Sequence, residues 1–160
     1  MTVYLVRHGS AGTRNPADSR DSDRALDETG RAQAQLLSDW LAQKPISRIV
    51  SSPYLRCTQT VAPLGEALGL VIEADDRLAE STDVDEAWKT LSASSDASIG
   101  SGRDVVLCSH GDVIPDLVRR LQLRGMRIHG KSGFSKGSVW ELDGWDGERF
   151  ESGSYIVVRP

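Results

Sequence analysis

Apolar positions cluster in short blocks separated by polar loops, and the spacing inside each block predicts its secondary structure. Thr2 to Val6 is an apolar run rich in β-branched and aromatic residues, which predicts a buried strand ending abruptly at Arg7-His8-Gly9. The next stretch, Ser10 to Asp23, is almost wholly polar, with Gly12, Asn15-Pro16 and alternating Arg and Asp, and a loop of that length is usually functional or mobile. From Asp27 or Thr29 a helix is predicted, with Ala32, Leu36, Leu37, Trp40 and Leu41 at helical spacing until Pro45 stops it. Ile46 to Val50 then predicts a second strand. Ser52-Pro53 reads as a helix start, Ser capping the first amides and Pro at the first helical position, with Arg56 in the opening turn. Pro63 is expected to kink or restart that helix, Gly69 to end it, and Leu70 to Glu73 to form a short strand.

Further along, Ser81 to Ser95 predicts a helix around Ala87, Trp88 and Leu91, and Ser94 to Gly102 a polar connection. Asp104 to Cys108 is a third clear strand, and Val113, Ile114, Leu117, Val118 and Leu121 mark an amphipathic helix in which Pro115 falls in the tolerated first turn. Two last strands are expected at Ser138 to Leu142 and Tyr155 to Val158. Trp40, Trp88 and Trp140 read as core, and Trp145, beside Gly144 and Gly147, as a turn residue. Strands alternating with helices predict an α/β fold: a mostly parallel central sheet with helices on both faces, three layers in a single domain over residues 1–160. No internal repeat of the solenoid kind occurs.

Composition narrows the function. Apolar residues make up 39% and charged residues 26% of 160, an ordinary globular balance that excludes collagen-like and disordered classes. No apolar stretch is long enough to span a membrane and the opening residues lack a basic-then-apolar leader, so a soluble, cytoplasmic protein is expected. Cys57 and Cys108 form no C-x-x-C pair and are read as reduced and buried. A net charge of −4 argues against a general nucleic-acid binder. Within this acidic chain, no acidic residue lies between Asp116 and Glu141, whereas Arg119, Arg120, Arg124, Arg127, Lys131 and Lys136 do. That basic island either attracts anions or suits a helix C-terminus.

Two segments echo each other: Val3-Tyr4-Leu5-Val6-Arg7-His8-Gly9 and Val105-Val106-Leu107-Cys108-Ser109-His110-Gly111, each a strand ending in His-Gly. Ligands of open α/β sheets bind beyond the carboxyl ends of the strands, so both histidines are expected at the functional edge, and Arg56 with them. Arginine and imidazole around one hollow make an anion site. For a phosphoryl group, Arg forks neutralise the equatorial oxygens, one His attacks phosphorus, and the other donates hydrogen bonds to the oxygens. The leaving oxygen then needs a proton, from Glu80 or an Asp of the 10–23 loop. A metal centre is the other reading of two histidines, but Arg7 adjoins His8 and no His-x-His or His-x-x-Glu-His spacing occurs, so neither metal nor organic cofactor is expected. His129, with nothing beside it to pair with, reads as structural.

Leu-Val-Arg7-His8-Gly9, Leu26-Asp-Glu-Thr-Gly30-Arg-Ala-Gln, Ser51-Ser-Pro-Tyr-Leu-Arg56-Cys-Thr-Gln-Thr60, Leu78-Ala-Glu80 and Ser109-His110-Gly111 together resemble, in order, the histidine phosphatase superfamily, the phosphoglycerate mutase-like fold. Length and Arg24-Ala-Leu26-Asp-Glu-Thr-Gly30 are similar to its compact, SixA-like phosphohistidine phosphatase branch. Cys57-Thr-Gln-Thr60, Val113-Ile-Pro-Asp-Leu117 and Lys136-Gly-Ser138 also resemble the phosphatase domain fused to some actinobacterial Nudix hydrolases. The resemblance implies His8 as phosphorylated nucleophile, Arg7, Arg24 and Arg56 as phosphate ligands, and His110 as the second histidine. Larger members carry an Asn six residues after the nucleophile, where this chain has Arg14. Arg124 and Lys136 are the island residues expected to touch substrate.

The expected activity is hydrolysis of a phosphoryl group through phosphohistidine, on a phosphohistidine protein, a nucleotide or a small phosphoester. A non-catalytic phosphate-binding module and a sugar-phosphate mutase are the alternatives. The mutase must keep water from the phosphoenzyme, and the chain offers little lid beyond segments 10–23 and 81–103. The sequence leaves oligomeric state open.

Overall fold

In the computed structural model, which describes residues 1–160, the first apolar run becomes β1 (Thr2–Arg7) and takes the middle of a seven-stranded sheet. Around it lie β2 (Ile46–Ser51), β3 (Ile72–Ala74), β4 (Asp104–Ser109), β5 (Arg127–His129), β6 (Val139–Asp143) and β7 (Ser152–Ile156), in the spatial order β3-β2-β4-β1-β6-β7-β5. β6 alone runs against its neighbours; every other pairing is parallel. Four helices, α1 (Glu28–Leu41), α2 (Leu55–Leu68), α3 (Val84–Ile99) and α4 (Val113–Leu123), cover the two faces, giving the expected three layers.

Strand alternation divides the core. Val3 and Leu5 of β1, with Val105 and Leu107 of β4, face Leu91 of α3 and Leu117, Val118 and Leu121 of α4. Tyr4, Val6, Val106 and Cys108 point the other way, against Leu37 and Leu41 of α1 and Cys57, Val61 and Leu64 of α2. Each such leucine, fully removed from water, contributes roughly 1.5–3 kcal/mol. Both cysteines are free and buried.

Several elements differ from expectation. The stretch expected to be a connection from Ser94 is helix, α3 running to Ile99, because its serines satisfy themselves: Ser95 Oγ donates to the Leu91 carbonyl at 2.6 Å, so a hydroxyl can be buried on a helix. α2 begins at Leu55 and has no side-chain cap, so Ser52 and Pro53 precede the helix, and it continues through Pro63 to Gly69, whose φ of +65° closes it. Trp145 lies in the turn between β6 and β7 as expected, but it is buried there against Phe150, with its indole N–H donated to Asp96 at 2.8 Å. Trp40 and Trp88 are only half-buried. β7 starts at Ser152, before the apolar signal, and β5 went unpredicted, being three residues with one partly buried side chain, Ile128.

Gly30, in the first turn of α1, shows how tightly the loop after β1 is packed: a Cβ there would collide with the Ser10 carbonyl oxygen. Gly30→Ala should therefore destabilise the fold by about 3 kcal/mol through overpacking against backbone. Helix propensity alone favours Ala by about 1 kcal/mol, so the sign of the change in urea midpoint decides between the two effects.

Candidate active site

Parallel pairing of β1 with β4 sets Arg7 beside Ser109, so the residues that follow, His8 and His110, leave the sheet side by side with ring centroids 5.3 Å apart. β2, next to β4, ends in the same place and delivers Ser52 and the start of α2. His8 is 5% exposed, and its Nδ1 lies 2.8 Å from the Gly9 carbonyl oxygen. A carbonyl accepts only, so Nδ1 carries the ring proton and Nε2 keeps its lone pair. Burial, reinforced by His110, Arg56 and Arg7, pushes the His8 pKa down from 6.5 to about 3, the Gly9 hydrogen bond opposing it. At neutral pH His8 is thus an uncharged imidazole with a bare nitrogen.

Among buried side-chain nitrogens and oxygens, three have no hydrogen-bond partner: Arg7 Nε, Arg56 Nε and His110 Nδ1. All three belong to residues at this strand edge, and a native fold rarely strands such groups unless a ligand completes them. Arg7 is held by Nη1 donating to the Phe134 carbonyl at 2.6 Å, and its guanidinium lies so close to Gly111 that a Cβ there would sit 2.6 Å from Cζ. Arg56, fully buried, donates Nη1 to the Asp21 carbonyl at 2.8 Å and Nη2 to the Asp21 carboxylate at 3.0 Å. Its Nη2 also lies 3.4 Å from Glu80. The cradle is built of N–H donors and suits an anion; no group of three His, Cys, Asp or Glu is placed to hold a metal ion.

Acidic side chains form the rim. Asp21 takes Arg24 Nε at 3.0 Å as well as Arg56. Burial alone would raise its pKa, but the Arg24 hydrogen bond and the Arg56 charge outweigh it and hold the carboxyl below the ordinary range. Glu80, 20% exposed, also pairs with Arg14 at 3.3 Å. The next residue, Ser81, has a φ of +65°, uncommon for a side-chain-bearing residue, and its amide is held by Asp112 at 2.8 Å. That turn fixes where Glu80 points. Arg24 reaches the site through Asp21 and the Ala11 carbonyl, not through the unpartnered nitrogens.

Sequence reasoning missed the residues that hold these loops. Thr60 Oγ accepts the Gly9 amide at 2.9 Å, Gln33 accepts the Ser10 amide at 2.8 Å, and Gln59 accepts the Leu26 amide at 2.8 Å. Asp27 accepts from Ser10 Oγ, Gly12 N and Gly30 N, tying the loop to the α1 cap. Ser52 turns its hydroxyl to His110 Nε2 at 2.8 Å, and Tyr54 sets its ring edge-on to His110 at 4.9 Å. A D-x-x-G helix opening or a Ser at a strand end signals such supports only weakly.

The basic island disperses. Lys136 lies in the loop that enters β6, where Gly137 N donates to the Arg7 and His8 carbonyls, so it stands at the catalytic edge. Arg124 caps the far end of α4, about 16 Å of helix away from its start beside His110, with its guanidinium 4.5 Å over Trp88 and Nη1 donated to the Glu148 carbonyl. The structure does not bring Arg124 to the site, correcting the expectation that it touches substrate. Arg120 pairs with Asp85 and Arg127 with Glu151. His129 ends β5, exposed.

The chain is similar to several known phosphatases. A phosphohistidine phosphatase SixA of Escherichia coli K12 is 32% identical over 125 residues, 76% of this chain and 74% of the relative. An 8-oxo-(d)GTP phosphatase of Mycolicibacterium smegmatis is 35% identical over 150 residues, covering 92% of this chain but only 45% of that longer protein. The solved structure of a protein histidine phosphatase SixA with tungstate superposes with a TM-score of 0.72 at 26% identity, over 98% of this chain and 95% of that one. With residues 3–97 also matching the family pattern of branch 1, the chain belongs to the histidine phosphatase superfamily.

Proposed function

We propose that residues 1–160 act as one phosphatase domain that hydrolyses a phosphoryl group through a phosphohistidine on His8, without a metal or organic cofactor. The observation that carries this reading is the convergence of three unpartnered buried nitrogens, Arg7 Nε, Arg56 Nε and His110 Nδ1, beside an uncharged His8. His8 Nε2 attacks phosphorus with its lone pair; the bond from phosphorus to the leaving atom breaks, a ring nitrogen in a phosphohistidine protein or an oxygen in a phosphoester, and that atom takes the electron pair and a proton. Arg7, Arg56 and His110 meet the charge on the equatorial oxygens. Water then attacks phosphohistidine, the P–N bond breaks, and His8 recovers its lone pair as phosphate leaves. Asp21 is held anionic by Arg24 and Arg56, so the proton donor of the first step is another carboxyl of the rim, Glu80 or an Asp of the 10–23 loop.

The substrate read from the rim is a phosphohistidine protein. Three cations of the basic island are engaged elsewhere, Arg120 with Asp85, Arg124 with the Glu148 carbonyl and Arg127 with Glu151, and so are not offered to a second or third phosphate. The hollow beside Asp21, about 360 Å³, is lined only by polar residues such as Thr13, Asn15 and Arg20, and offers no apolar wall for a base. The placement of Lys136 at the catalytic edge favours a second reading, a nucleotide, which the mycobacterial relative's activity matches.

A screen of phosphohistidine protein, a nucleoside diphosphate and a small monophosphate side by side separates them. Lys136→Ala should leave kcat/KM on phosphohistidine protein and the monophosphate nearly unchanged. A selective loss of roughly 5- to 30-fold on the diphosphate, one charge-assisted contact, would make the nucleotide the substrate instead. Arg124→Ala should change none of the three, and added chelator should leave every rate as it was. Turnover of none of these by the intact chain would leave the phosphate-binding module in place of the enzyme.

A further inference from the structure

Ser52 is fully buried between β2 and α2, and its hydroxyl oxygen has two partners: the Tyr54 amide, which donates to it at 3.2 Å, and His110 Nε2 at 2.8 Å. A hydroxyl has one proton to give, and buried away from water it must find an acceptor. Two atoms offer themselves: His110 Nε2 and the Cys57 sulfur, which lies 3.5 Å from that same nitrogen. Sulfur is the weaker acceptor, and the Cys57 thiol already faces the Ser109 carbonyl at 3.7 Å, an oxygen that accepts only. The arrangement that gives both the hydroxyl and the thiol proton an acceptor sends the thiol proton to Ser109 and the Ser52 proton to Nε2.

Nε2 must then be bare, and in the neutral ring the proton sits on Nδ1, the nitrogen that is buried without a partner. The opposite form would leave a buried hydroxyl proton with only sulfur to receive it, and would aim a lone pair at an anion. We infer that Ser52 is a positioning residue: by donating to Nε2 at 2.8 Å it locks His110 in the Nδ1–H form, so that the second histidine meets the phosphoryl group as a hydrogen-bond donor. The two imidazoles are then complementary. Gly9 holds the proton of His8 on Nδ1 and frees a lone pair at Nε2, while Ser52 holds the lone pair of His110 on Nε2 and frees an N–H at Nδ1.

This inference rests on the phosphatase reading for its consequence, but its central element can be read without substrate. The chain has three histidines, so ¹⁵N-resolved NMR of the ligand-free protein at mildly alkaline pH shows each ring's protonated nitrogen directly. His110 should be protonated on Nδ1 in the native chain and become mixed in Ser52→Ala. In that variant kcat should fall roughly 10- to 100-fold with KM within about threefold, the mark of an interaction made mainly in the transition state. Ser52→Thr, which keeps the hydroxyl, should retain the Nδ1–H form and most of kcat.

A native His110 protonated on Nε2 would overturn the inference whatever the variants do, and it needs no variant to fold. So would a Ser52→Ala protein whose His110 keeps the native form. Failure to find phosphate on His8 would strike the proposed reaction and leave the NMR result standing, so the two failures are distinguishable.

Discussion

Quenching the enzyme in alkali during turnover should trap a phosphoryl group on His8 that survives base and is lost in acid, and His8→Ala should lose both the label and at least about 10⁴-fold in turnover. Label on any other residue would sink the nucleophile assignment. The same side chain leaves a second trace in stability. Its folded pKa, about 3, lies below the ordinary 6.5, so above pH 6.5 both folded and unfolded chains hold it neutral. As pH falls from 6.5 towards 3 the unfolded chain takes a proton that the folded one refuses, and stability is lost across that window. The loss from this group is on the order of 3–5 kcal/mol at the acid end. Urea unfolding of His8→Asn, which cannot titrate, should be flatter in pH by that amount; parallel curves would show that His8 titrates alike in both states.

Arg56→Lys should lower kcat/KM by roughly 10²- to 10³-fold although the charge is kept. Arg56 serves three directions at once: Nη1 to the Asp21 carbonyl, Nη2 between the Asp21 and Glu80 carboxylates, and Nε towards the anion cradle. An ammonium is a single point on a flexible stem. Placed among two carboxylates it is drawn to them, and the cradle loses a donor it cannot replace. Near-native kcat/KM in Arg56→Lys would remove the clamping role. A purely structural Arg56 would instead show native turnover per folded molecule with a lowered unfolding midpoint.

The sheet and its catalytic ends are legible in sequence because β1 and β4 are apolar on both faces, a run that only a central strand of a covered sheet requires. The two His-Gly steps follow from those runs, and Arg56 from the helix after β2. What the sequence hides is made by distance in the chain. Asp21 lies 35 residues from the guanidinium it orients, and Ser52 58 residues from the ring it faces. A serine at a strand end looks like a helix cap until β2 and β4 are set side by side. The basic island looks continuous because sequence does not show that α4 carries Arg124 to the opposite edge, while the loop entering β6 brings Lys136 back. α3 exceeds its apolar signal because serine hydroxyls fold back on their own turn.

The central place of β1 bears on how the active site comes into being. Its partners are β4, beginning at Asp104, and β6, beginning at Val139, so the earliest strand of the fold is completed by two of the latest. Closing chain segments of this length costs entropy before any contact repays it, which makes parallel, non-local pairing slow. A nascent chain that has emerged only through α3 carries His8 and Arg56 but not His110, the β4 edge, or the Phe134 carbonyl that holds Arg7. Its β1 is then a bare apolar ribbon, open on both edges to β-strands of other chains until the final third of the sequence arrives.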